Sequence, residues 1–130
     1  MLEIVLETHQ TCELLDITQK IQSAVDASSA QEGICFIFCP HTTAGLLINE
    51  HADPAVGHDI LLFLEKLVPG DHPWTHTEGN APAHVKATLV GNSLQVAFEE
   101  GRLLLGTWQG IFFCEFDGPR RRRIWVQIQS

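Results

Sequence analysis

The residues most able to do chemistry are the histidines, which crowd into the stretch from His41 to His84 beside carboxylates, threonines, asparagines and glycines. The segments are His41-Thr42-Thr43-Ala44-Gly45, Asn49-Glu50-His51-Ala52-Asp53, His58-Asp59 and His76-Thr77-Glu78-Gly79-Asn80-Ala81-Pro82-Ala83-His84. Neutral imidazoles beside carboxylates are the groups that a metal ion or an acid–base site needs near pH 7. A second cluster, near the C-terminal end, is Gly106-Thr107-Trp108-Gln109-Gly110 followed by Glu115-Phe116-Asp117-Gly118-Pro119-Arg120.

Each candidate has a chemical and a structural reading. His41 follows an apolar run and opens a turn, so Thr42 and Thr43 place hydroxyls and amides beside its ring; equally, it can bond its own loop. Glu50 can be a metal ligand, a general base or the group that orients a histidine, or it can be a strand-end surface charge. His76 and His84 lie eight residues apart, which is not the i, i+4 spacing of a zinc-binding helix and is weak as a metal motif. Asp117-Gly118 is a hairpin turn that also allows Asp117 to reach a ligand. Arg120 opens Arg120-Arg121-Arg122-Arg123, able to fork onto phosphate or to line a solvated strand edge.

The elements that must position these groups are read from periodicity. Residues 2–7 and 14–17 read as strands, and Thr18 is a plausible cap for a helix to about residue 27. The apolar run 34–39 reads as a buried strand stopped by Pro40, with a strand at 46–49 after the His41 turn. Asp53 caps the next helix and Pro54 suits its first position. Val56, Ile60, Phe63, Leu64 and Leu67 share one face of it. His58 lies opposite and faces solvent, while Asp59 borders the apolar face, where a helix meets a cleft. Residues 69–82 form a long loop, in which Trp74 can wall a pocket or join the core. Strands are expected at 83–90, with His84 and Lys86 on one face, and at 94–98, 102–105, 107–116 and 121–129. The sum is a single α+β domain over residues 1–130, a β-sandwich of about seven strands with two helices.

Composition bounds the function. The chain has 130 residues, 45% hydrophobic and 18% charged, with a net charge of −8, enough to bury a core and too acidic for non-specific nucleic-acid binding. One basic strip on an acidic protein suits a small anionic metabolite. No stretch reads as a signal peptide or a membrane span. Cys12, Cys35, Cys39 and Cys114 lack CxxC spacing, the pattern of reduced, mostly buried thiols in a cytoplasmic protein. A Cys39–His41 metal pair lacks a second pair at zinc-finger spacing.

Taken together, His41-Thr42-Thr43-Ala44, Glu50 with Asp53, Asp59, His76, Asn80-Ala81 with Ala83-His84, Gly106-Thr107-Trp108-Gln109 and Asp117-Gly118-Pro119-Arg120 resemble the YjbQ-like family of secondary thiamine-phosphate synthase enzymes. The resemblance spans residues 2–128. It implies a homotrimer with a polar pocket near subunit contacts. It implies catalytic roles for Glu50, Asp59 and His76, substrate contacts from Thr42, Thr43, Asn80, Gln109, Asp117 and Arg120, and a divalent metal at His41, His76 and His84. Two departures stand out: Glu50-His51 where the family commonly has Glu-Asn, and Ala97-Phe98 where a proline-containing turn is usual, a change expected to touch only a loop.

The activity so implied joins hydroxymethylpyrimidine diphosphate to a thiazole phosphate. Diphosphate chemistry favours Mg²⁺ and an arginine, whereas three imidazoles suit Zn²⁺ better. Two other expectations follow. One is a metal-dependent hydrolase of a small phosphorylated or acyl substrate with Glu50 as base. The other is a non-enzymatic trimer that binds a metal or metabolite.

Overall fold

In a computed structural model describing residues 1–130, the chain folds as two packed antiparallel sheets with three helices. The strands are β1 (Leu2–Glu7), β2 (Glu13–Asp16), β3 (Gly33–Phe38), β4 (Ala44–Glu50), β5 (Ser93–Glu99), β6 (Arg102–Leu103), β7 (Gln109–Glu115) and β8 (Arg121–Gln129). The helices are α1 (Thr18–Ser28), α2 (Pro54–Leu67) and α3 (Ala81–Val90). One sheet has the order β1-β8-β3-β5-β6 and the other β2-β7-β4. No helix is long and apolar enough to cross a membrane.

Strand parity builds the core. In β8, Ile124 and Val126 point inward with Arg122, while Arg121 and Arg123 point outward and pair with Glu7 and Glu3 of β1. In β7, Ile111 and Phe113 join Leu6, Ile17, Ile21, Ile37, Leu46 and Phe98 in the main core between the sheets. The opposite face of β7 carries Cys114, which packs with Phe116, Ala83 and Ala87 in a second cluster beneath α3. β7 is therefore covered on both faces, so every residue from Gly110 to Glu115 is buried. Full burial of a side chain such as Phe113 is worth about 1.5–3 kcal/mol.

The expected α+β sandwich is present, with corrections. Residues 83–90 are not a strand: they belong to a third helix, α3, with Pro82 in its first turn. Their Val, Thr and Leu content imitates a strand, but Ala81, Ala83 and Ala87 favour a helix and let it lie closely on β4. A Cβ on Gly45 of β4 would come within 2.6 Å of the Gly91 carbonyl at the end of α3, so glycine permits that approach. His84 and Lys86 consequently face different ways: Lys86 is buried and ion-paired with Glu65, while His84 lines a cleft.

In α2, Asp53 does cap the helix, accepting from Ala55 N–H at 2.9 Å. Its packed face is Gly57, Ile60, Leu61 and Leu64, with Phe63 and Leu67 exposed rather than covered. Thr18 is the first residue of α1 rather than its cap. Ile17 takes the cap position, and the Asp16 carboxylate accepts from Thr18 N–H at 2.9 Å. Ala97 and Phe98 lie inside β5, paired with Ile34 and Gly33, and not in a loop.

The sheets are tied at one end by a buried ion pair. Glu115 continues the inward parity of β7, and Arg122 that of β8; their exposures are 0% and 3%. The Arg122 fork meets both carboxylate oxygens through Nε and Nη2. Thr8 Oγ1 donates to Glu115 Oε1 at 2.8 Å, and Asp117 N–H donates to Oε2 at 3.0 Å. Arg122 Nη2 also donates to Thr43 Oγ1 at 2.8 Å. Burial works to raise the Glu115 pKa, but the donors from Arg122, Asp117 and Thr8 outweigh it and hold it below the usual carboxylate value.

A carboxyl whose pKa is depressed by folding stabilises the fold above its unfolded value and loses that contribution as pH falls through the folded value. Urea unfolding should therefore show the native protein weakening on acidification below about pH 4.5, near the ordinary carboxyl pKa. Glu115→Gln should lack that part of the slope. At pH 7 it should be less stable by about 3–5 kcal/mol, the cost of breaking a buried pair. An unchanged acid slope in Glu115→Gln would show that the pair does not control acid stability.

Candidate functional site

The structure gathers most of the candidate residues at the end of the sandwich closed by this ion pair. A polar cleft of about 420 Å³ is lined by His41, Thr42, Thr43, Glu78, Asn80, His84, Asp117, Arg120 and Arg122, with Pro40. They come from the turn before β4, the loop before α3, α3 itself, the turn after β7 and the start of β8.

Asp117 organises one wall. Its Oδ2 accepts from Asn80 Nδ2 at 2.9 Å and from Arg120 Nη2 at 3.0 Å, and its carbonyl accepts from Arg120 Nε at 2.9 Å. Arg120 is thereby held along one edge, with Nη1 making no hydrogen bond inside the chain. Asn80 Oδ1 is buried without a partner. The turn itself needs a glycine: a Cβ on Gly118 would come within 2.7 Å of Glu115 Cγ and 3.0 Å of Thr8 Oγ1. Thr43 is buried and serves Arg122, whereas Thr42 is exposed at the cleft.

His41 sits across the cleft. Its Nε2 accepts the Arg123 backbone N–H at 3.0 Å, so the neutral ring carries its proton on Nδ1. Burial, followed by the Arg122 charge, pushes its pKa below the usual imidazole value and favours that neutral form. His84 is the junction of three clefts. Besides the polar one, it lines a cleft of about 480 Å³ with His41, Thr42, Ala44, Ala87, Thr88, Gly91 and Asn92. It also lines one of about 320 Å³ walled by Trp74, Thr75, His76, Ala81 and Val85. His76 meets His84 edge to face, with ring centroids 5.1 Å apart, and its Nε2 lies 3.9 Å from Glu78 Oε2. Trp74 donates its indole N–H to the Pro69 carbonyl at 3.1 Å, which fixes this wall.

A metal at His41, His76 and His84 would need a free ring nitrogen from each. His76 and His84 are adjacent, but the His41 Nε2 lone pair is occupied by the Arg123 N–H, and Asp117 Oδ2 is taken by Arg120 and Asn80. No group of three His, Cys, Asp or Glu side chains in one chain is arranged to hold a metal ion. The donor set of a single chain therefore does not fit a metal centre at His41, His76 and His84. Cys39 Sγ lies 4.0 Å from the His41 carbonyl rather than against its ring.

Besides His76, which lines the cleft walled by Trp74, three candidates are not brought to the polar cleft. Glu50 and Gln109 pair with each other at the far end of β4 and β7, whereas Ala44, beside His41, pairs with Glu115. Six residues of strand separate the two ends, about 20 Å. Glu50 Oε2 accepts from Ala52 N–H, and Gln109 Oε1 accepts from Gly106 N–H, so both brace their own turns. Asp59 is exposed on α2 and lines none of these clefts. Glu50 instead lines a second region with Asp16, His51, Asp53 and His58, so His58 borders a cleft rather than open solvent alone. His51, the departure from the usual Asn, has its Nδ1 2.9 Å from Asp16 Oδ2.

Neither Glu115 nor Arg122 has a role of its own in the sequence reading, yet Arg122 lines the cleft and Glu115 holds it there from the core. The signal was available in strand parity: Glu115 follows Ile111 and Phe113, and Arg122 precedes Ile124 and Val126. Opposite charges on the apolar parity of two strands are the mark of a buried pair.

Comparison with known proteins agrees with this architecture. A family model described as UPF0047 protein YjbQ-like matches residues 2–130. A UPF0047 protein of Methanocaldococcus jannaschii is 54% identical over 95% of this chain and 89% of its own length. The UPF0047 protein YugU of Bacillus subtilis is 45% identical over 96% of each. A YjbQ/UPF0047 family crystal structure from Clostridium acetobutylicum superposes with a TM-score of 0.97 at 50% identity, covering 99% of this chain and 100% of that one. The chain belongs to the YjbQ-like UPF0047 family.

Proposed function

We propose that this protein is a transferase acting on small phosphorylated metabolites, of the thiamine-phosphate-synthase kind, which condenses hydroxymethylpyrimidine diphosphate with a thiazole phosphate. The observation that carries this reading is the shared position of His84, which lines both the polar cleft holding Arg120 and the cleft walled by Trp74. A ligand with an anionic end and a flat ring is matched by those two neighbours. The free edge of Arg120 suits phosphate oxygens, and an indole face suits a heterocycle.

In that reaction the bond from the pyrimidine methylene carbon to the diphosphate oxygen breaks, with its electron pair leaving on oxygen. The thiazole nitrogen lone pair forms the new C–N bond, and pyrophosphate departs. Arg120, pre-set by Asp117, stabilises the charge that grows on the leaving oxygen. His84 stands where the two clefts meet, able to give or take a proton at the junction. No step is assigned to a metal, because one chain does not assemble a set of donors for it.

We further infer a homotrimer. Support comes from α2, which leaves Leu62, Phe63 and Leu67 more than half exposed, an apolar face of the kind that associates. Glu50 and Asp59, outside the polar cleft of their own chain, enter a site in this reading only from a neighbouring copy.

Incubation with both substrates should yield thiamine phosphate and pyrophosphate in equal amounts by mass spectrometry. Arg120→Ala should lower turnover about 100-fold, as loss of one preorganised donor does, and Lys20→Ala on the exposed side of α1 should not. Pyrophosphate binding with no turnover would instead make the protein a metabolite binder. Light scattering should give three times the 14.5 kDa chain mass, and a monomer at micromolar concentration would contradict the trimer.

A further inference from the structure

Arg122 resembles Arg120 in one respect that its burial conceals. Arg120 gives Nε and Nη2 to Asp117. Arg122 gives Nε and Nη2 to Glu115, and Nη2 also to Thr43. In both, the Nη1 edge makes no hydrogen bond within the chain, and both residues line the polar cleft. Arg122 is 97% buried, since only 3% of it is exposed. Asn80 Oδ1 is the buried side-chain atom left without a partner, so the spare Arg122 edge is not sealed in the core but opens on the cleft, where its N–H groups can be given to an acceptor. The ends of its fork are fixed by Glu115 and Thr43, so the spare edge is held in place before any ligand arrives.

The geometry points to Arg122 as a second anion-contacting residue, which with Arg120 makes a two-guanidinium clamp for a diphosphate group. This rests on the phosphorylated-metabolite reading of the same cleft. The paired carboxylates Glu115 and Asp117 offset much of the charge, so the clamp recognises its ligand through directed N–H donors more than through net field. Arg120, half exposed, is placed to meet the ligand first; Arg122 receives it at the floor. Lysine cannot replace Arg122 in this role, since an ammonium cannot hold Glu115 and present a separate donor edge at once.

The test uses the full chain and pyrophosphate alone. Calorimetry should show pyrophosphate bound by the native protein and by Lys20→Ala with equal affinity, and at least tenfold weaker by Arg120→Lys and by Arg122→Lys. Because Arg122→Lys disturbs a buried pair and can fail to fold, the native protein is also titrated while its arginine side-chain nitrogen signals are followed by NMR. The Arg122 signals should shift in step with those of Arg120. Pyrophosphate binding that weakens in Arg120→Lys, with Arg122 signals unmoved, would overturn the clamp and leave the phosphate site standing. No pyrophosphate binding by the native protein would overturn both.

Discussion

The contact between Glu115 and Arg122 decides how the two sheets meet. Each side chain belongs by parity to the core, one from the three-stranded sheet and one from the five-stranded sheet. Removing two charges from water costs several kcal/mol per ion, and the attraction repays that only when the remaining donors and acceptors are met. Here the carboxylate receives four donors: two from Arg122, one from Thr8 and one from the Asp117 backbone. Thr8 follows β1 and Thr43 precedes β4, so one network ties β1, β4, β7 and β8. A well-packed apolar pair could close the same gap with less desolvation. The charged pair adds direction, because each hydrogen bond fixes where a neighbouring loop begins.

The cleft inherits its geometry from that network. Asp117 is held by its backbone on Glu115 and in turn holds Arg120 and Asn80. Thr43 is held by Arg122, so the turn with His41 and Thr42 cannot drift from β8, and the Arg123 N–H closes on His41 from the same strand. The four consecutive arginines thus divide by position: Arg120 faces the cleft, Arg121 and Arg123 face outward against Glu7 and Glu3, and Arg122 turns inward. One run of like residues does three jobs, because a strand alternates and the turn before it does not.

Local signals in the sequence were sufficient where a residue acts on its immediate neighbours. Asp53-Pro54 marks the start of α2, and the bounds of β1 and β8 follow from alternation alone. Local signals misled at α3, where Val85, Thr88 and Val90 carry strand character and apolar residues are spread around the helix rather than along one stripe. Long-range register was out of reach. Glu50 and Gln109 lie among the same segments as His41 and Asp117, yet pairing of β4 with β7 puts the two sets at opposite strand ends. Histidine clustering drew attention to His41, His76 and His84, and the polar cleft contains His41 and His84, with His76 behind. Composition does not separate Arg122 from its neighbours, since a run of four arginines fits a phosphate strip or a solvated edge equally; its burial follows from pairing across the sheet.

A crystal structure of the protein with pyrophosphate tests the account most directly. Phosphate oxygens should lie within hydrogen-bond distance of the Nη1 edges of Arg120 and Arg122, with the Glu115–Arg122 pair intact beneath them. Pyrophosphate seated instead beside Glu50 and His51, or Arg122 closed off from the ligand by Glu115, would contradict it.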